Sequence, residues 1–127
     1  MALKPGKKGL TRLIHACGYS LSGFRAALRH EAAFRQEVAL FVVLLPILLL
    51  LPSDGMSKCL LLLVNTLVLI VELLNSAVEA VVDKVSPEFH ELAKRAKDMG
   101  SAAVLLSLVI AAVVWATVLY PIFFKVP

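Results

Sequence analysis

The chain has 127 residues, enough for one domain. Its hydrophobic fraction is 60% and its charged fraction 17%, and a water-soluble fold of this size has too little interior to hide that much apolar side chain. The net charge of +4 comes with a basic N-terminal segment (Lys4, Lys7, Lys8, Arg12, Arg25, Arg29) that suits anionic lipid head groups; no basic motif interleaved with aromatics is present, so nucleic acid is not expected as a partner.

Residues 1–9 read as a basic tail, without the apolar core and cleavage site of a signal peptide. From Leu10 to His30 an apolar stripe at helical spacing (Leu10, Leu13, Ile14, Cys17, Leu21, Phe24, Leu28) predicts an amphipathic helix lying in the membrane interface. A first span is expected over 32–51. Its uninterrupted apolar part, Val38 to Leu51, has 14 residues and covers only about 21 Å. That is less than the ~30 Å hydrocarbon core, which draws Arg35, Gln36 and Glu37 into the interface. Pro46 should kink this helix. Pro52, Ser53, Asp54 and Gly55 predict a tight turn.

A second span is expected over 59–82 and a third over 99–124, the latter ending in Trp115, Tyr120, Phe123, Phe124 and Lys125, read as an aromatic belt with a cationic anchor. The polar connection 83–98 has helical character, with Ser86-Pro87 read as a helix start. Lys and Arg cluster before the first span and in the 83–98 connection, which puts the N-terminus in the cytoplasm and the C-terminus on the far side. That topology separates Cys17 from Cys59, so no bond between them is expected.

The second span carries the chemistry. Asn65, Glu72, Asn75, Glu79 and Asp83 are spaced 7, 3, 4 and 4 and share one helix face. An ionised carboxylate in lipid costs about 2.5 kcal/mol or more, so this stripe must face protein or water. One reading is hydrogen-bonding glue between helices. The other is a site at the cytoplasmic rim, where Glu31, Glu37, Glu79, Asp83, Glu88, Glu91 and Asp98 can meet with Lys94, Arg95 and Lys97. Such a set suits a divalent metal and phosphates. No standard nucleotide-binding loop is present: Gly6-Lys7-Lys8-Gly9 lacks the required spacing. Intramembrane glutamates would also serve a small cation-coupled transporter, which needs acidic residues connecting both faces. His15 and His30 read as solvated interfacial side chains.

The segment Glu72-Leu-Leu-Asn-Ser-Ala-Val-Glu-Ala-Val-Val-Asp83 closely resembles the signature of the bacterial diacylglycerol kinase family. Ala96-Lys-Asp-Met-Gly-Ser-Ala-Ala-Val104 resembles its second signature, and Glu31-Ala-Ala-Phe-Arg-Gln-Glu37, with Arg12 and Gly18-Tyr19-Ser20, its N-terminal elements. The resemblance implies an all-α membrane protein: a homotrimer whose protomers each carry three transmembrane helices and an N-terminal amphipathic surface helix. It implies one integral-membrane kinase domain over 1–127, in a bacterial inner membrane. The implied activity is transfer of the γ-phosphate of ATP to diacylglycerol, with Mg²⁺, at a composite site shared between protomers.

Glu72 matches the family's catalytic base. Glu31 and Glu79 match its metal ligands, which also contact ATP. Arg12, Tyr19, Lys97 and Asp98 match further ATP-contacting positions, and Glu88 and His90 lie in the stretch near the nucleotide. Asn75 matches a supporting residue, and Arg35, Gln36 and Glu37 line the implied lipid entrance. Phe89 departs from the pattern, since relatives often carry tyrosine there. A sister branch of the family phosphorylates undecaprenol; the wording of 32–37 and 99–103 resembles the diacylglycerol branch.

Overall fold

The computed structural model describes residues 8–124; Lys4 and Lys7 of the basic tail and the Lys125 anchor lie outside the described residues. Among the described residues four helices run in order: α1 (Leu10–His30), α2 (Ala32–Leu50), α3 (Gly55–Val85) and α4 (Glu91–Phe123). The described residues contain no strand. α2, α3 and α4 are each long and apolar enough to cross a membrane. At about 1.5 Å per residue, α3 and α4 run to roughly 45–50 Å. Both therefore outreach the ~30 Å hydrocarbon core and carry polar turns beyond it.

The corners show how the chain reverses with so few residues. Gly9 enters α1 with φ 68, a backbone region that glycine alone adopts without a Cβ penalty. Glu31 is the single residue between α1 and α2, in extended conformation, and its N–H donates to Ala27 O at 2.9 Å. Arg35 Nη1 donates to Leu28 O and Arg29 O, both at 3.1 Å, and so satisfies carbonyls that the end of α1 leaves open. At the other end of the bundle, Lys58 Nζ donates to Leu49 O at 2.8 Å and closes α2 in the same way.

Asp54 caps α3, its Oδ1 accepting from Ser57 N at 3.0 Å. Hydrogen bonds from Ser57 hold the Asp54 carboxyl below the usual carboxylate range. A carboxyl lowered in the folded state adds stability above its unfolded pKa and loses it as pH falls through the folded one. Acidification below about pH 4 should therefore lower the unfolding midpoint in detergent less in Asp54→Asn than in the unsubstituted protein. An identical pH dependence in the two would remove the cap from the acid response.

The 83–98 connection differs from the sequence reading. Ser86 does not start a helix; it ends one. Its N–H donates to Val82 O at 2.8 Å and its Oγ to Glu88 O at 3.0 Å, so no hydroxyl is left to cap the next helix. α3 continues to Val85, and α4 begins only at Glu91, where His90 Nδ1 accepts from Leu92 N at 3.1 Å.

α3 is the central element. It packs most extensively on α4 and next on α2, while α1 touches mainly α2. Its buried residues, Leu61, Val64, Asn65, Val68, Glu72 and Ser76, fall at i, i+3, i+4, i+7, i+11 and i+15, one stripe of the helix. The opposite faces expose Leu62, Leu63, Leu74 and Val81, as a lipid-facing helix does. Pro46 and Pro121 lie inside α2 and α4, both of which continue through them. Cys17 and Cys59 are free thiols.

Candidate active site at one end of the bundle

The helix order brings the α1–α2 corner, the C-terminal half of α3 and the N-terminal turns of α4 to the same end. Along α3 the stripe passes from apolar to acidic. Glu72 is 5% exposed, Asn75 and Glu79 are half-buried, and Asp83 is exposed. Glu37 on α2 and Glu31 at the corner are half-buried as well. Glu72 lies within electrostatic range of Glu79 and Glu31, and Glu37 within range of Glu72. Four carboxylates thus converge where like charges repel, an arrangement that stability alone does not favour. Asn75 Nδ2 donates to Glu79 Oε1 at 3.4 Å, and Glu37 Oε2 and Asn75 Oδ1 are buried without a hydrogen-bond partner.

Cations flank this set on α4. Lys97 forms an ion pair with Asp83, tying α4 to the end of α3. Lys94 Nζ pairs with Asp98 Oδ2 at 2.6 Å one turn away. Asp83, Glu88, His90, Lys94, Lys97 and Asp98 line a recess of about 370 Å³. The sequence-predicted nucleotide residues are not all gathered there: Glu88, His90, Lys97 and Asp98 line it, while Arg12 and Tyr19 are exposed on α1 and do not. Gln36 is exposed too, and the Arg35 guanidinium is engaged by α1. Glu31 instead shares a groove of about 660 Å³ between α1 and α3 with Ser76.

Among the described residues, no three His, Cys, Asp or Glu side chains gather closely enough to hold a metal ion by themselves. Mg²⁺ does not need such a cage: it is commonly held by one or two carboxylates together with substrate phosphates and waters. Hard oxygens around Glu72, with the buried and unpartnered Glu37 Oε2 among them, are the right donor chemistry for it.

Two contacts were not apparent from spacing. Trp115, read as an interfacial belt residue, points inward: its Nε1 donates to Asn65 Oδ1 at 2.9 Å across α3 and α4. An indole N–H turned into a bundle needs an acceptor, and the buried amide supplies it. The polar stripe flagged Asn65 but not its partner. Asn65→Ala should cost about 0.5–2 kcal/mol of stability. Because Trp115 is the single tryptophan, its emission reports the loss directly; unchanged emission would mean the bond is absent in the folded protein. The second contact joins Gly100 of α4 to Asn75.

These features define a helical integral membrane protein with a carboxylate-rich site, flanked by lysines, at one end of its spans. The family model described as prokaryotic diacylglycerol kinase matches residues 18–119. The chain is 56% identical over 114 residues to a diacylglycerol kinase of Pseudomonas aeruginosa, covering 90% of this chain and 93% of that one. It is 50% identical over 112 residues to one of Escherichia coli, covering 88% and 92%, and 45% identical over 112 residues to one of Haemophilus influenzae, covering 88% and 95%. The chain belongs to the prokaryotic diacylglycerol kinase family, and it is a membrane-bound kinase.

Proposed function

We propose that the protein phosphorylates diacylglycerol to phosphatidic acid at the cytoplasmic membrane face, with MgATP as donor. The observation that carries this is Glu72: a carboxylate 5% exposed on a membrane-spanning helix, with a line of polar residues leading from it to the helix end. The depth suits a lipid hydroxyl, which arrives from the bilayer, while the phosphate donor arrives from water.

In this reading the Glu72 carboxylate accepts the hydroxyl proton of the lipid. The lipid oxygen forms its bond to the γ-phosphorus as the bond between that phosphorus and the β–γ bridging oxygen breaks, and ADP leaves. Glu31 and Glu79 would hold the metal ion, and Asn75 would orient Glu79. When bound, Mg²⁺ supplies charge neutralisation to the phosphates. Lys97, Asp98, Glu88 and His90 line the recess proposed for the nucleotide, and Arg12 and Tyr19, which lie away from it within one protomer, would reach it from α1 of a neighbouring one. Glu37, with Arg35 and Gln36 before it, would line the entrance for the lipid. The exposed apolar residues of α1, including Leu10, Leu13, Ile14 and Phe24, support its placement in the interface. The separation of Arg12 and Tyr19 from the recess supports a homotrimer, in which a neighbouring protomer completes the site.

The test is transfer of labelled γ-phosphate from MgATP to lipid by purified protein in mixed micelles, with diacylglycerol and undecaprenol in parallel. Labelled phosphatidic acid is the expected main product. Labelled polyprenyl phosphate would keep the mechanism and change the substrate, and no lipid product from folded protein would overturn the reading.

A further inference from the structure

We propose that Gly100 is a positioning residue for the phosphoryl-transfer site: the bare backbone it presents on α4 sets the orientation of Asn75 and, through it, of Glu79. The inference rests on the proposed kinase function, in which Glu79 serves the metal and phosphates.

α3 and α4 form the most extensive helix pair of the fold. At Gly100 they approach so closely that a Cβ would land on Asn75 Oδ1 and stand 3.2 Å from Asn75 Cγ. Gly9, Gly18, Gly23 and Gly55 have nothing within 4 Å of the same position. A glycine inside a helix is disfavoured relative to alanine; here the partner's side chain supplies the reason for it. The Hα that replaces the missing Cβ points at Asn75 Oδ1, which is buried and has no hydrogen-bond partner. A Cα–H···O contact is weak, but it is what this oxygen has.

The consequence is directional. With Oδ1 turned to α4, Nδ2 is left facing along α3, where it donates to Glu79 Oε1 at 3.4 Å. A flipped amide would set two oxygens against each other and leave the carboxylate without its donor. Groups that hold a ligating carboxylate set its aim, so the close approach at Gly100 acts on the site through two side chains.

The experiment compares Gly100→Ala, Asn75→Ala and the double variant in detergent micelles. Four readouts are taken: thermal unfolding midpoint, kcat of lipid phosphorylation, its Mg²⁺ dependence, and KM for diacylglycerol. Gly100→Ala should lower the midpoint and lower kcat by roughly tenfold or more, given how strongly sub-ångström placement affects rate. It should raise the half-saturating Mg²⁺ concentration and leave the KM for diacylglycerol unchanged. In the Asn75→Ala background the same change should cause no further loss of midpoint, because the atoms it strikes are gone. Gly55→Ala, with open space around it at the opposite end of α3, should behave as the parent. Equal midpoint losses in both backgrounds, or a normal Mg²⁺ dependence in Gly100→Ala, would overturn the proposal. If Gly100→Ala does not fold, the double variant decides: restored folding supports the contact and continued misfolding overturns it. The unfolding comparison needs no activity, so it stays readable if the parent phosphorylates no lipid; that outcome would sink the kinase reading itself, and the positioning role with it.

Discussion

Glu72→Gln should reduce lipid phosphorylation by about 10²–10⁴-fold, the usual contribution of a positioned proton acceptor, with the helical content and unfolding midpoint retained. Glutamine keeps the volume and much of the hydrogen-bonding capacity of glutamate but accepts no proton. The substitution also removes a carboxylate from the neighbourhood of Glu79, Glu31 and Glu37, so repulsion falls rather than rises. Loss of turnover with undiminished stability therefore separates a chemical role from helix-to-helix glue. If Glu72 were glue alone, turnover would survive and only the midpoint would move. Turnover near that of the parent would remove the base assignment.

Glu79→Gln and Glu31→Gln should each raise the half-saturating Mg²⁺ concentration. Groups that merely support a metal ligand commonly cost 10–100-fold in affinity when removed, so loss of a direct ligand should cost at least about that much. Their surroundings differ, which makes the pair informative. Glu79 sits within α3 beside Asn75, so its replacement leaves the backbone untouched. Glu31 is the hinge residue between α1 and α2, where its backbone N–H closes α1. The glutamine preserves that backbone role, so a metal defect without loss of α1 would isolate the side chain's part. An unchanged Mg²⁺ titration in both variants would leave the metal to other residues.

The start of α4 and the inward turn of Trp115 show why some of the fold lay beyond sequence rules. Ser86-Pro87 has the composition of a helix start, yet the same serine closes the preceding helix, because Val82 O was available to its N–H and its hydroxyl reached Glu88 O. Caps are decided by which open backbone group lies nearest, and spacing alone does not choose between the end of one helix and the start of the next. Trp115 was misplaced for a related reason. An aromatic near the end of a hydrophobic run reads as an interfacial anchor, but a single buried acceptor on the facing helix turns it inward.

The amino-acid order by itself determined that the chain lives in a membrane, that three of its helices can span it, and that one of them carries a polar stripe ending in carboxylates. These come from composition and from a period of 3.6, properties of the chain before it folds. Tertiary structure alone decided what faces the stripe. It set Glu31 and Glu37 around Glu72, tied Lys97 to Asp83, engaged Arg35 in closing α1, and pressed Gly100 against Asn75. Each of these depends on the approach and rotation of two helices about their axes, set by packing between residues distant in sequence, and no local rule specifies that.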